Sequence, residues 1–66
     1  MTADRQKVKL AMARACMTHD QLAEAAGLPK PTLNKVIGEK RVKPATLGAV
    51  ARALSVDVTE IMKEGA

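Results

Sequence analysis

The chain has 66 residues, a formal net charge of +4, one Cys, one His, and no Phe, Tyr or Trp. A chain of this length forms one domain, and its core supplies only about 3–5 kcal/mol of net stability. The lone Cys16 excludes an internal disulfide, and the lack of a Cys and His cluster argues against a metal site. The lack of aromatic side chains argues against single-strand binding by base stacking. We expect Cys16 to be a small buried residue that closes the first helix.

The charge distribution favours a nucleic-acid partner over a membrane. No apolar run approaches the roughly 18 residues that a membrane span needs, and the charged first ten residues do not resemble a signal peptide. We therefore expect a cytoplasmic protein that associates with the nucleoid through DNA. Residues 30–43 contain one acidic residue, Glu39, and five basic residues, which are Lys30, Lys35, Lys40, Arg41 and Lys43. A cluster of this kind is typical of nucleic-acid binding.

The first predicted helix covers about residues 3–16. Its apolar residues recur at helical spacing, and they are Val8, Ala11, Met12 and Ala15. Asp4 is expected in the first turn, where a negative charge suits the helix dipole. Leu10 lies off the apolar stripe, so it is either simply exposed or in contact with a partner.

The second predicted helix covers about residues 18–26. Thr18 and Gln21 have the spacing of a capping box, in which each side chain bonds the other residue's backbone amide. Gly27 is expected to adopt the positive φ that ends a helix and permits a tight turn.

The third predicted helix covers about residues 29–37. Pro29 and Pro31 are tolerated there because first-turn amides have no acceptor within the helix, and Gly38 is expected to end it. A basic loop precedes a fourth helix over about 45–54. A fifth helix is expected over about 58–64, opened by a second capping box of Asp57 and Glu60. No run alternates long enough to suggest a strand, so the sequence predicts one all-α domain of five helices over residues 1–66.

The third helix has an outer face that suits a DNA groove. At about 100° per residue, Leu33, Val36 and Ile37 fall on one side. The opposite side is expected to read bases, and it consists of Lys30, Pro31, Asn34 and Lys35. Lysine can donate to guanine O6 and N7 and asparagine can pair with adenine, whereas a proline can only contact a thymine methyl. The alternative is an ordinary solvated helix face.

Phosphate contacts are expected around this face. The start of the second helix offers free amides at Thr18 and His19, although His19 is alternatively a surface residue without a role. Thr32 flanks the base-reading side. Lys40, Arg41 and Lys43 would bind the DNA backbone and fix its register, unless they form a solvated loop.

Residues 18–28, THDQLAEAAGL, resemble the (S/T)-x-x-(E/Q)-L-A-x-x-(A/V)-G-(L/I/V) run of phage repressor and Cro-type helix-turn-helix domains. Residues 43–47 and 51–56 resemble the fourth helix of that family and its ending. The resemblance implies a compact lambda-repressor-like fold of five helices, with helices 2 and 3 forming the helix-turn-helix. It implies base reading at Lys30, Pro31 and Lys35, and phosphate contacts at the start of the second helix and in the loop after the third.

Three departures from the family pattern bear on base readout. Pro29 stands where a Ser or Thr cap is usual, Pro31 replaces a hydrogen-bonding base reader, and Gly38 comes one position earlier than the usual Asn-Gly end. One hypothesis is that specificity rests more on Lys30, Lys35 and DNA shape than on a dense hydrogen-bond code.

The expected function is that of a sequence-specific regulator of transcription, a repressor that binds double-stranded DNA as a homodimer without a cofactor. The candidate dimer residues, with core packing as their alternative, are Val56, Val58, Ile61 and Met62. A second hypothesis is an antitoxin-like protein-binding module that also represses its own promoter, with Leu10 and the chain end contacting the partner. An enzyme is not expected, because there is no catalytic triad, phosphate-binding loop or metal cluster.

Overall fold

A computed structural model describes residues 1–63, within which four α-helices are followed by one 3₁₀ turn. The elements are α1 (Arg5–Ala15), α2 (His19–Ala26), α3 (Lys30–Ile37), α4 (Pro44–Ala53) and the turn Val58–Glu60. The all-α prediction and its first four helices are confirmed. The predicted fifth helix over 58–64 is wrong within the described residues, since it is a single 3₁₀ turn, and residue 64 lies outside them. None of the described helices is long and apolar enough to cross a membrane.

An antiparallel contact between the two ends of the domain explains why the fifth helix does not form. Ala3 and Met62 form an isolated β-bridge. The Asp4 amide donates to the Ile61 carbonyl at 2.8 Å, and the Lys63 amide donates to the Thr2 carbonyl at 2.9 Å. These bonds occupy backbone groups that a longer helix would use, so the chain leaves the helical path after one turn.

The same contact corrects the start of the first helix. Ala3 lies in the bridge and is fully buried, and α1 begins only at Arg5. Asp4 is the N-cap residue, and its carboxylate accepts the amides of Gln6 and Lys7 at 3.0 and 3.2 Å. The negative charge thus acts as a cap just before the first turn.

The core is entirely aliphatic and joins all of the elements. It consists of Ala3, Val8, Ala11, Met12, Leu22, Ala23, Leu33, Val36, Leu47, Val50, Ala51, Leu54 and Ile61. Helix α2 packs against α3 and α4, α1 packs against α3, and the 3₁₀ turn packs against α4. Because α2 and α3 share this core, their relative position is fixed by packing as well as by the turn between them.

The turn between α2 and α3 forms as predicted. The Thr18 hydroxyl accepts the Gln21 amide at 3.2 Å and the Gln21 side chain accepts the Thr18 amide at 2.9 Å, which completes the capping box. Gly27 adopts φ 68°, the left-handed conformation that glycine takes without strain. Helix α3 lacks a side-chain cap and begins on the Pro29 carbonyl, which accepts the amides of Thr32 and Leu33.

Two helix ends differ from the prediction. Gly38 has φ −77°, and the left-handed residue after α3 is Glu39, with φ 59°. The Lys40 amide reaches back to the Lys35 carbonyl at 2.9 Å, a bond that satisfies the end of the helix. Cys16 closes α1 with φ 55°, but it is exposed, so its expected burial is wrong. The buried stripe of α1 ends at Met12, one turn earlier.

Candidate nucleic-acid interface

The outward face of α3 carries the residues that the sequence assigned to it. Lys30, Pro31, Asn34 and Lys35 are exposed, Thr32 is half-buried, and Leu33 and Val36 on the inner side are buried. The predicted outer face is confirmed, whereas Ile37, expected on the inner side, is only half-buried. What the exposed residues bind stays a prediction.

The start of α2 lies beside the start of α3. The Lys30 ammonium contacts the Asp20 carboxylate, with an Nζ–Oδ1 distance of 2.8 Å. Thr18 and His19 are exposed at the same end of α2. The Thr18 amide, which was expected to be free, is not, because the capping box occupies the amides of Thr18 and Gln21. The amides of His19 and Asp20 in the same turn have no acceptor within the helix, and they lie at the positive end of its dipole. This end therefore offers donors to an anion next to the base-reading face.

A shallow, open groove runs between α3 and the start of α4. Its volume is about 560 Å³, and it is lined by Met1, Thr32, Lys35, Arg41, Val42, Lys43 and Thr46. The groove brings together one expected base reader, Lys35, and three expected phosphate contacts. Lys40 is exposed but does not line it. Three cationic side chains and two threonines along one depression are suited to a phosphate backbone.

Thr46 was missed as a candidate in the sequence. Its only sequence signal is its place in the first turn of the fourth helix, two residues after Pro44. The loop before it is held in place by a pair of backbone bonds, one of which runs from the Val42 amide to the Met1 carbonyl at 2.8 Å. Arg41 and Lys43 flank that anchored residue, so both are fixed close to the groove.

Glu39, the acidic residue of the basic segment, is directed towards α1. Its carboxylate accepts the Arg5 amide at 3.2 Å and lies 3.9 Å from the Lys63 ammonium. The Arg5 side chain in turn donates to the Ile37 carbonyl at 3.1 Å. A carboxylate at the start of α1 interacts favourably with that helix dipole. The Glu39 carboxylate therefore interacts with α1 and Lys63, and it does not neutralise the cations of the groove.

The candidate dimer residues are only partly accessible. Ile61 is fully buried and lies in the core, so it has no surface to offer a partner. Val56, Val58 and Met62 are half-buried and pack against that core. The alternative of simple core packing therefore applies to Ile61, while the other three keep some exposed surface.

Residues 7–63 match the family model of the Cro/C1-type helix-turn-helix DNA-binding domain. The chain belongs to this family. The predicted resemblance to this family is thus confirmed.

Several solved structures contain a similar domain. The whole chain matches 14% of a hydroxyethylphosphonate dioxygenase variant, with a TM-score of 0.85 and 32% identity. It matches 14% of PhpD with cadmium, with a TM-score of 0.84 and 30% identity. In a second 2-hydroxyethylphosphonate dioxygenase variant, 96% of this chain matches 15% of that chain, with a TM-score of 0.82 and 31% identity. The chain thus spans only 14–15% of the length of these proteins. No curated protein matches the chain.

Proposed function

We propose that the chain is a sequence-specific transcriptional regulator, a repressor that binds double-stranded DNA with α3 in the major groove. The observation that carries the proposal is the cluster of basic residues on the outer face of α3 and in the groove beside it. Lys30 and Lys35 are exposed on that face, Arg41 and Lys43 line the groove, and Glu39 is directed away. The role is one of binding, without a cofactor or a catalytic step.

In this proposal, one set of residues contacts the base edges and another set binds the phosphates. Lys30, Asn34 and Lys35 donate to base edges, and Pro31 contacts a thymine methyl. The phosphates on either side bind residues of the α2 start, of α3 and of the loop, which are Thr18, His19, Thr32, Lys40, Arg41 and Lys43. Because Pro31 cannot hydrogen-bond, part of the specificity comes from DNA shape.

Repression follows from occupation of an operator by two copies of the domain. Homodimers of this kind place their recognition helices in half-sites about 34 Å apart, one turn of the duplex. The exposed parts of Val56, Val58 and Met62 are the proposed contact between the copies. Binding in the cytoplasm would localise the protein to the nucleoid.

Selection from a pool of random duplexes at about 150 mM salt tests the proposal. We expect an enriched motif with two-fold symmetry. The Lys35→Ala variant should lose preference at one position of each half-site, while Lys9→Ala, which removes an exposed lysine from α1, should select the wild-type motif. Binding without any enriched sequence would contradict the proposal, as would the absence of binding.

An antitoxin-like protein-binding module is the second candidate, and the exposure of Leu10 favours it. Leu10 is 56% exposed on α1, and similar domains occur within much longer proteins. Purification of the tagged chain from its own cells separates the candidates. If a second protein co-purifies in stoichiometric amount and no longer does so with the Leu10→Glu variant, the protein-binding module is favoured. If the chain purifies as a homodimer, and Leu10→Glu changes neither its yield nor its DNA binding, the regulator is favoured.

A further inference from the structure

An ion pair joins the two helices of the helix-turn-helix across their turn. Asp20 is the second residue of α2, Lys30 is the first residue of α3, and their Oδ1 and Nζ atoms lie 2.8 Å apart. The side chains remain 70% and 66% exposed respectively. An ion pair this exposed adds little to folding stability. Core packing already holds the two helices together, so the fold itself does not require the pair.

The position of Asp20 is unfavourable for simple backbone binding. Its carboxylate lies in the first turn of α2, beside the amides that face a phosphate, and two negative charges at short range repel each other. It also neutralises Lys30, so Lys30 contributes less to the release of counterions when DNA binds. An acidic residue at this position therefore weakens nonspecific binding to duplex DNA.

The pair is well suited to read a base pair. An ammonium group has three donors, and one of them is directed to Asp20. The remaining two match the O6 and N7 acceptors that guanine presents in the major groove. The second carboxylate oxygen of Asp20 can accept from the N4 amino group of the paired cytosine. Guanine O6 and cytosine N4 are hydrogen-bonded to each other and lie side by side in the major groove, as the Lys30 ammonium and the Asp20 carboxylate lie side by side in the ion pair.

We propose that Asp20 is a specificity-determining residue, which holds Lys30 as a reader of guanine and withholds it from phosphate. The proposal rests on the DNA-binding function above. It assigns the start of α3 to a G·C base pair and makes an acidic residue of α2, which sequence reasoning did not single out, part of the recognition surface.

The test compares the wild type with Asp20→Asn, using Glu24→Gln as the matched control. Glu24 is an exposed acid on the same helix, and it lines a different depression, next to Cys16. For each protein, the dissociation constant is measured by fluorescence anisotropy on the selected duplex, on duplexes with each base at every position, and on random duplex over a range of salt. A thermal unfolding curve checks that each variant folds.

At one position of the site, we expect the preference of Asp20→Asn for guanine over the other bases to be about tenfold weaker than that of the wild type. Its binding to random duplex should tighten, and the salt slope should steepen by about one because Lys30 becomes free to bind phosphate. Glu24→Gln should keep the guanine preference. Lys30→Ala should lose the same preference, and adding Asp20→Asn to it should remove nothing further at that position, because the two residues act as one unit.

Unchanged discrimination in Asp20→Asn would overturn the proposal, and so would equal losses in Asp20→Asn and Glu24→Gln. Enrichment of adenine at that position, which offers an acceptor at N7 and a donor at N6, would overturn the assignment to guanine. A wild type without any sequence preference would refute the regulator itself, and that outcome is distinct from a wild-type preference that survives in Asp20→Asn.

Discussion

The cationic groove beside α3 allows the salt dependence of DNA affinity to be predicted quantitatively. Arg41 and Lys43 line the groove, flanking the anchored Val42. Each cation that neutralises a phosphate contributes about 0.9 to the slope of log affinity against log salt. The double variant Arg41→Ala/Lys43→Ala should therefore lower that slope by about 1.8. Between about 50 and 200 mM salt, its affinity should fall roughly twelvefold less than that of the wild type.

Fluorescence anisotropy of a labelled random duplex measures this slope directly. The charge-matched control is Lys9→Ala/Arg14→Ala, which removes two exposed cations from α1 that do not line the groove. We expect the control to keep a slope close to that of the wild type. Equal decreases in both double variants would mean that only net charge matters. An unchanged slope in Arg41→Ala/Lys43→Ala would show that neither cation neutralises a phosphate and that the loop lies outside the interface.

Three further predictions concern the fold that presents this surface. Leu22 is fully buried, so Leu22→Ala should cost about 2–5 kcal/mol and leave much of this small domain unfolded; a denaturant midpoint close to that of the wild type would contradict this. Gly27→Ala should cost about 1–2 kcal/mol because φ is 68°, although an added Cβ meets nothing within 4 Å; urea unfolding measures the loss, and an unchanged midpoint would exclude the strain. Hydrogen bonds from the Thr59 amide and hydroxyl lower the pKa of Asp57 from 3.8. The ionised carboxylate therefore adds stability that is present above pH 3.8 and is lost as the pH falls through the lowered pKa. Asp57→Asn should reduce this acid-induced loss in thermal unfolding, and an unchanged pH profile would contradict the assignment.

Features that depend on neighbouring residues could be predicted from the sequence. The capping box of Thr18 and Gln21, the positive φ of Gly27 and the exposed face of α3 each follow from residues within about one turn of one another. The helix-turn-helix is built from such local signals, and so is most of the candidate surface. Its principal parts can therefore be predicted from the sequence alone.

Features that depend on distant contacts could not be predicted. The left-handed residue after α3 is Glu39 rather than Gly38, and the Glu39 carboxylate is held by the Arg5 amide, 34 positions away. The last segment leaves the helix because Met62 pairs with Ala3. The hydrophobic periodicity of one segment carries no information about hydrogen bonds to a distant segment. These arrangements can therefore be seen only in the folded structure.

The candidate interface depends on both local patterns and distant contacts. The outward direction of Lys35 follows from helical periodicity, whereas its place in one groove with Thr46 depends on how α3 and α4 pack. The contact between Asp20 and Lys30 likewise spans the turn and depends on the packing of α2 against α3. Sequence patterns identified the basic residues, and the fold determines which of them act together.

Titration of the ¹⁵N-labelled protein with the selected duplex, followed through its amide resonances, shows directly which part of the backbone contacts DNA. If α3 lies in the major groove, the largest changes will occur at the start of α2, along the first two turns of α3 and in the loop over residues 40–43, while the outer face of α1 is unaffected. Changes centred on Leu10 and Cys16 instead, with α3 unperturbed, would contradict the placement of α3 in the major groove.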